Sequence, residues 1–490
     1  MKNLCIAVVV SFFLLCLSLA LVSAQTGSSN NSPFGFTTSF YAPQRLSPKE
    51  MESRRKGMKF LGVPADSPPY STAVDMGVKW ERPTHPVLDW SFVQRDLDSV
   101  KNGVYDWTIP DNFLRHVPAE LNLVVTICVG DKALIPGTWK FRSPQAKAAF
   151  RDFVRRAVER YNGDGINDMP GLKSPVKFWQ LENEPETHVD RSNSNRPKPN
   201  LDWQGFSELL TLSYKEIKAA DSMATVLCAG TVSPHDQIMQ QVINGFWIPL
   251  IRALKGQDMD VFDLHWFGSN YKDSYNVYMK IKEVLAQNGF KRTEVWMTET
   301  GFSSKDGEKG QAIEIVKRFV YPLSYGIKKI FWAWALVEGW PPFNCESMFD
   351  YTGLIYDGAC PGDPGYGVKK LGYYTYRLMT HKLAWDLGST LERVETGDSN
   401  VSAFKFSRAS GHVYVLWYDT KDPVASVTYK LSGIENGEHT VTEAVPSASK
   451  GESIQSYSSG IFNTSKVTAV GNSLSLKLGS VPVYVELKQR

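Results

Sequence analysis

The stretch VKFWQLENEPETH, residues 176–188, sets Glu182, Glu184 and Glu186 directly behind a run that reads as a buried strand. Ionised carboxylates are costly to bury without partners. Either the chain surfaces at once after Leu181, or the charges have chemistry to perform. The rest of the chain decides between these readings.

Outward from this stretch, strand-like runs alternate with helical ones. Short β-branched or aromatic runs recur at FGFTTSF, MGVKWER, NLVVTICVG, VKFWQLENE, ATVLCAGT, DVFDLHWFG, EVWMTETG and KKIFWAWAL. Between most of them lie segments with helical periodicity, such as SPQAKAAFRDFVRRAVERYNG, WQGFSELLTLSYKEIKAAD and SYNVYMKIKEVLAQNGF. Eight strands separated by helices predict an α/β fold, a (β/α)8 TIM barrel with insertions. The alternative is a doubly wound open sheet, but no Gly-rich phosphate loop follows any of the runs. From about Ser389 the texture changes to NVSAFKFSRASGHVYVLWYD, ASVTYKLSG, GEHTVTEAV and NSLSLKLGSVPVYVELK. These are alternating strands with turn signals and no helix, which predicts a small all-β sandwich domain. The expected domains are a barrel over 25–388 and a sandwich over 389–490, the latter packed against the barrel.

Composition fits this plan. At 490 residues the chain is too long for one ordinary core, and a net charge of +3 gives no reason to expect nucleic acid or a membrane surface as partner. The 12% aromatic content suits a large barrel core and also a sugar-binding cleft. Lys2, the apolar run LCIAVVVSFFLLCLSLALV and Val22-Ser23-Ala24 read as a signal peptide over 1–24. An uncleaved anchor is the alternative, and cleavage before Gln25 predicts a secreted protein, extracellular or periplasmic. Cys128 and Cys228 sit in apolar runs and read as buried thiols, whereas Cys345 and Cys360 flank a Pro/Gly/Asp-rich loop where an exported chain can form a disulfide. No CxxC and no His cluster at ligand spacing occurs, so neither a protein-bound metal nor another cofactor is expected. Asn30, Asn400 and Asn463 begin N-x-S/T sequons.

Barrel chemistry sits at the C-terminal ends of strands. The fourth run ends in Glu182-Asn183-Glu184-Pro185 and the seventh in Thr298-Glu299-Thr300-Gly301. Two strands three positions apart in a ring of eight lie roughly across its mouth, so their terminal carboxylates can converge. Glycoside hydrolysis requires such a pair, one acid to protonate the leaving oxygen and one carboxylate on the opposite face.

WQLENEP followed by WMTETGF resembles the clan A glycoside hydrolases, the retaining (β/α)8-barrel enzymes, and most closely the neighbourhood of family 39. The resemblance implies Glu184 as acid/base, Glu299 as nucleophile and Asn183 as the partner of the sugar 2-hydroxyl. It places Arg82 beside the nucleophile, His265 along the site, and Trp334 as the rim aromatic on which a sugar stacks, with Trp332 in the core. Where clan members often carry a tyrosine bonded to the nucleophile, Trp266 and Phe267 stand here, so that contact is either absent or comes from elsewhere, Tyr271 being one candidate. Glu182 is read as structural and Glu186 as a solvated loop acid, with a subsite position beside His188 as the alternative. Insertions after the fourth and eighth strands would shape a cleft for an oligosaccharide or polysaccharide. A secreted sugar-binding protein without turnover is the rival reading; the joint presence of Asn183, Glu184, Glu299 and Arg82 argues against it.

Overall fold

The computed structural model describes residues 31–38, 70–83, 87–94, 100–187, 201–234, 237–334, 336–339, 345–422 and 424–487. The leader, the Asn30 sequon, His188 and most of the insertion after the fourth strand lie outside these residues.

Eight parallel strands close into a barrel: β1 (Phe34–Thr38), β2 (Trp80–Pro83), β3 (Asn122–Cys128), β4 (Phe178–Leu181), β5 (Thr225–Leu227), β6 (Val261–Trp266), β7 (Glu294–Thr300) and β8 (Ile330–Trp332). Closure runs through β8–β1, with Phe34 opposite Ile330, and through β2–β3, with Trp80 opposite Asn122. Each of the eight apolar runs contains one strand. Outer helices follow in turn: α1 (Tyr70–Asp75), α2 (Thr108–Leu114), α3 (Pro144–Tyr161), α4 (Trp203–Ala220), α5 (Ile248–Leu254), α6 (Ser274–Gln287), α7 (Glu308–Tyr325) and α8 (Leu371–Lys382). Helix α3 starts at Ser143, whose side chain accepts from the Ala146 amide, and α4 at Asp202, which accepts from Gly205. Both caps satisfy amide donors that a helix start leaves open.

The barrel interior changes character from bottom to top. At the strand starts, Trp80, Val124, Phe178, Leu227, Val261, Trp296 and Phe331 form an apolar plug, with Trp80 edge-on to Phe178 and Trp296 at 4.7 and 5.2 Å between centroids. Two residues further along, the same inward faces carry Arg82, Thr126, Gln180, Asp263 and Thr298, all buried. This polar layer is the floor on which the candidate site rests.

Beyond the barrel lies an antiparallel domain of β9 (Thr390–Arg393), β10 (Val401–Arg408), β11 (Gly411–Tyr418), β12 (Val427–Ser432), β13 (Gly437–Pro446), β14 (Phe462–Ala469), β15 (Ser473–Leu478) and β16 (Val483–Glu486). Six strands form one sheet in the order β9-β10-β11-β16-β13-β14, and β12 pairs with β15. Ala403, Leu416, Leu431, Leu474 and Leu478 build the core between them. The domain docks on α7 and α8. Asp419 accepts from Lys317 at 3.0 Å and from Tyr271 Oη at 2.9 and 3.0 Å. The Glu308 carboxylate takes the amides of Leu371 and Gly451 at 2.7 and 2.8 Å.

Cys345 and Cys360 form a disulfide across fifteen residues of the loop after β8, while Cys128 and Cys228 are buried thiols. Closing a loop of that length removes about 3 kcal/mol of unfolded-state entropy. In a chain of this size, the paired change Cys345→Ser with Cys360→Ser should therefore lower Tm by about 3 °C. Calorimetry of both proteins without reductant checks this; equal midpoints would contradict it. Among the described residues no helix is long and apolar enough to cross a membrane.

Candidate active site

The chain leaves β4 at Leu181 and turns through two residues in left-handed backbone, Glu182 at φ 59° and Glu184 at φ 43°. That conformation is disfavoured for side chains with a Cβ. It is held by two barrel bonds, Glu182 N to Ile127 O at 3.0 Å and Glu184 N to Gly230 O at 3.1 Å. The strand's alternation therefore ends at Leu181, and the three glutamates face three different environments. Glu182 is buried, and its carboxylate accepts from Val129 N at 2.6 Å. Glu184 is partly open, its side chain 21% exposed, and meets His265.

Glu186 departs from its reading as a solvated acid. A turn of 3-10 helix at Pro185–Thr187 folds it against the barrel wall, where it is only 1% exposed. One oxygen accepts from Val232 N at 2.7 Å and from Trp247 Nε1 at 2.9 Å. Burial pushes its carboxyl up to about 7, against the downward pull of the Trp247 bond. Folded Glu186 thus holds its proton to about pH 7, whereas an ordinary carboxyl releases it near 4.5. Between those values the folded state binds more protons, so this group's contribution to stability falls as pH rises through the window. Glu186→Gln should flatten the decline and stabilise the protein at pH 8, on the order of 2 kcal/mol. Denaturant titrations at pH 5 and pH 8 measure it; an unchanged pH slope would refute the buried-acid reading.

Glu299 comes from β7, and a bulge aims it. Asp263 pairs with Trp296, but two residues later His265 pairs with Glu299, so β7 carries one extra residue between those pairs. A bulge re-aims side chains, and here Thr298 and Glu299 both reach partners inside the barrel. The Arg82 guanidinium divides its three nitrogens: Nε to Gln180 Oε1 at 2.6 Å, Nη1 to Glu299 Oε1 at 2.7 Å, Nη2 to Asn183 Oδ1 at 2.6 Å. One arginine from β2 thus sets the orientation of residues at the ends of β4 and β7.

His265, fully buried, lies between the two acids. Its Nδ1 is 2.9 Å from Glu184 Oε1 and 3.4 Å from Glu299 Oε2, and its Nε2 is 3.2 Å from Thr298 Oγ1 and 3.5 Å from Asp263 Oδ2. Burial pushes the imidazole down, but the Glu299 charge and the bonds to Asp263 and Glu184 outweigh it and raise it to about 10. His265 is therefore an imidazolium at neutral pH. Gly230 makes room for it, since a Cβ there would fall 2.0 Å from His265 Nε2. For Glu299, burial pushes the carboxyl up, His265 and Arg82 pull it down, Glu184 pushes it up again, and the balance lies above 4.5.

Gln180 and Asp263 were not singled out from the sequence, yet they carry the floor of the site. Gln180 Nε2 donates to Asp263 Oδ2 at 2.6 Å, and Asp263 Oδ1 accepts from Thr298 N at 2.9 Å. Burial opposes the Asp263 charge, but His265 and Arg82 hold its carboxyl below the usual range. The available signal was a polar residue at an inward position of an otherwise apolar strand. Tyr271, the suggested substitute for a tyrosine on the nucleophile, bonds Asp419 at the domain interface instead. Trp332 is fully buried with Nε1 on Thr352 O at 2.9 Å, whereas Trp334 retains 9% exposure. Phe267 lies parallel to Trp334 at 6.3 Å between centroids, and Phe349 stands edge-on at 5.7 Å.

Oxygens of Glu184 and Glu299 and a ring nitrogen of His265 all lie within 4.8 Å of one another. The same is true of carboxylate oxygens of Glu338, Asp357 and Asp363, in and beside the loop after β8.

A closed (β/α)8 barrel with glutamates at the ends of β4 and β7 and a trailing antiparallel domain defines the structural class. No family model matches the chain, and no curated protein sequence matches it. Solved structures do. The chain is similar to a family 39 glycoside hydrolase from Bacteroides cellulosilyticus WH2, at 16% identity and TM-score 0.61, covering 94% of this chain and 82% of that one. It is similar to an α-L-arabinofuranosidase from Thermotoga maritima, at 12% identity and TM-score 0.60, covering 94% and 97%. A monomeric β-xylosidase from Caulobacter crescentus CB15 aligns at 13% identity and TM-score 0.54, covering 94% and 97%. At these identities the likeness is one of fold.

Proposed function

We propose that this chain is a retaining glycoside hydrolase that cleaves β-linked bonds of an oligo- or polysaccharide by double displacement. The observation that carries the reading is the convergence of the two acids: Glu184 Oε1 and Glu299 Oε2 lie 2.9 and 3.4 Å from the same nitrogen, His265 Nδ1, and one oxygen of each acid comes within 4.8 Å of the other. Direct displacement needs carboxyls about 5 Å apart, whereas inversion through a water needs roughly 6.5–9.5 Å.

Glu299, in contact with both Arg82 and His265, is the nucleophile. Its Oε2 accepts no hydrogen bond and is the oxygen that attacks the anomeric carbon. As the glycosidic C–O bond breaks, Glu184 passes its proton to the leaving oxygen. In the second half, ionised Glu184 takes a proton from water, the water oxygen bonds the anomeric carbon, and Glu299 departs as carboxylate. Asn183 turns its Oδ1 to Arg82, which presents its amide nitrogen to the sugar 2-hydroxyl. His265 sets the separation of the acids, and Trp334 offers its ring to a sugar face. The chemistry needs no cofactor.

The catalytic unit on this reading is 25–388, with 389–490 as a supporting sandwich and the mature chain exported after residue 24. The test is an activity screen of that mature chain on aryl β-glycosides and β-linked polysaccharides. The panel includes β-xylosides and α-L-arabinofuranosides, because the structural neighbours include a β-xylosidase and an arabinofuranosidase. Sugar release by the wild type and not by Glu299→Gln is the expected result. Binding of glycans with no release from any of them would favour a sugar-binding protein.

A further inference from the structure

The polar layer beneath the two acids does more than fill the barrel. Asp263 is fully buried and accepts three hydrogen bonds: Gln180 Nε2 at 2.6 Å and Thr298 Oγ1 at 2.5 Å on Oδ2, and Thr298 N at 2.9 Å on Oδ1. The Gln180 amide is held the right way round for this. Its Oε1 accepts from Arg82 Nε at 2.6 Å and Thr126 Oγ1 at 3.2 Å, and its Nε2 also donates to Cys228 O at 3.2 Å. A carboxylate that accepts three such bonds stays ionised, and an ionised carboxylate can only accept.

That fixes the protons around His265. A threonine hydroxyl has one hydrogen, and Thr298 spends it on Asp263 Oδ2. What Thr298 Oγ1 then turns to His265 Nε2, 3.2 Å away, is a lone pair, so Nε2 carries the donating hydrogen. Nδ1 meets a different pair of partners, Glu184 Oε1 at 2.9 Å and Glu299 Oε2 at 3.4 Å. A bare Nδ1 would set its lone pair against those oxygens. It therefore carries a hydrogen of its own unless one of the acids supplies it.

We infer that Asp263 is a positioning residue for the reaction proposed above: acting through the Thr298 hydroxyl, it locks one proton on His265 Nε2 and leaves Nδ1 as the ring nitrogen that shares a proton with the two acids. Its role in turnover rests on the hydrolase reading, whereas the placement of the protons does not. The acids facing the ring are Asp263 from its own strand, Glu299 from β7 and Glu184 from the end of β4. Arg82 from β2 pairs with Glu299, and Glu186 acts on Glu184 from the turn beyond β4. Cys228, just past β5, neighbours Asp263 and Glu186, and burial pushes its thiol up so that it stays neutral. Of the three acids around the ring, Asp263 forms and breaks no bond to sugar. Its charge keeps the imidazole protonated, and the imidazolium in turn pulls the Glu299 carboxyl toward its ionised form.

The experiment labels the histidines of the full mature chain isotopically and follows their ring nitrogens by NMR as pH is raised. The His265 signals are those absent from His265→Gln. In the wild type both nitrogens should read as protonated at pH 8, and at higher pH Nδ1 should be the one that loses its hydrogen. Asp263→Asn keeps the shape and removes the charge, and should lower the midpoint by about one pH unit or more. If that variant fails to fold, the wild-type titration carries the test alone. On an aryl glycoside, Asp263→Asn should also bring the alkaline limb of kcat/KM to lower pH, because the remaining groups hold their protons less tightly without that charge. A merely structural defect would lower activity alike at every pH. A wild-type ring already neutral at pH 8, a hydrogen lost from Nε2, or an unchanged midpoint in Asp263→Asn would each overturn the assignment. A lowered midpoint with an unmoved alkaline limb would overturn the role in turnover. A lowered midpoint in a protein that cleaves no glycoside would contradict the hydrolase reading and leave the proton placement standing.

Discussion

If Glu299 is the nucleophile proposed above, Glu299→Ala is expected to lower kcat by about 10^5-fold or more, because the change removes the atom that would form the covalent intermediate and not merely a contact. The change also takes the carboxylate from the buried Arg82 guanidinium and one of the three carboxylates facing His265, and breaking a buried pair costs roughly 3–5 kcal/mol of stability. Glu299→Gln, which keeps the shape and an acceptor for Arg82, is therefore the cleaner variant for kinetics. Azide supplied to the alanine variant can occupy the vacated space and attack from the nucleophile's side. The product it forms should have inverted configuration at the anomeric carbon. Retained configuration from that variant would place the nucleophile elsewhere.

Glu184→Ala should behave differently, because general acid catalysis matters in proportion to how poor the leaving group is. For sugar leaving groups the loss should be about 10^2–10^4-fold. For dinitrophenyl glycosides, which leave without a proton, the first step should survive and the second should become limiting. A burst of phenolate followed by a slow steady state is the expected trace. Azide should accelerate turnover here and yield a glycosyl azide of retained configuration, since it intercepts the Glu299 intermediate from the open face. Equal losses for good and poor leaving groups would argue against Glu184 as the proton donor.

The two variants thus separate roles that the geometry makes nearly symmetric. Both carboxylates touch His265, and both end barrel strands. What distinguishes them is environment: Glu299 is fully buried against Arg82, and Glu184 is partly exposed.

Much of this was legible in the sequence. Parallel barrel strands are buried on both faces and read as continuous apolar runs, so all eight showed. Glu184 and Glu299 stood out because acids at the ends of such runs have few structural explanations. What the sequence hid was local geometry. A strand's period of two would put Glu182 and Glu184 on one face, but left-handed backbone at both positions separates them. The extra residue in β7 cannot be read from EVWMTETG, yet it brings Glu299 opposite His265. Glu186 reads as hydrophilic, and only the tertiary fold supplies Trp247 and the Val232 amide that allow it to be buried. Tyr271 is near the site in sequence, but Asp419, 148 residues away, claims its hydroxyl.

The central claim is that Glu299 becomes covalently bonded to the sugar. Once the screen has supplied a substrate, its 2-deoxy-2-fluoro analogue with an activated leaving group slows both steps and lets the intermediate accumulate. Mass spectrometry of the digested protein should then find one added sugar, on the peptide that contains Glu299. A sugar bonded to any other carboxylate would contradict the account. So would rapid turnover without an adduct together with product of inverted configuration.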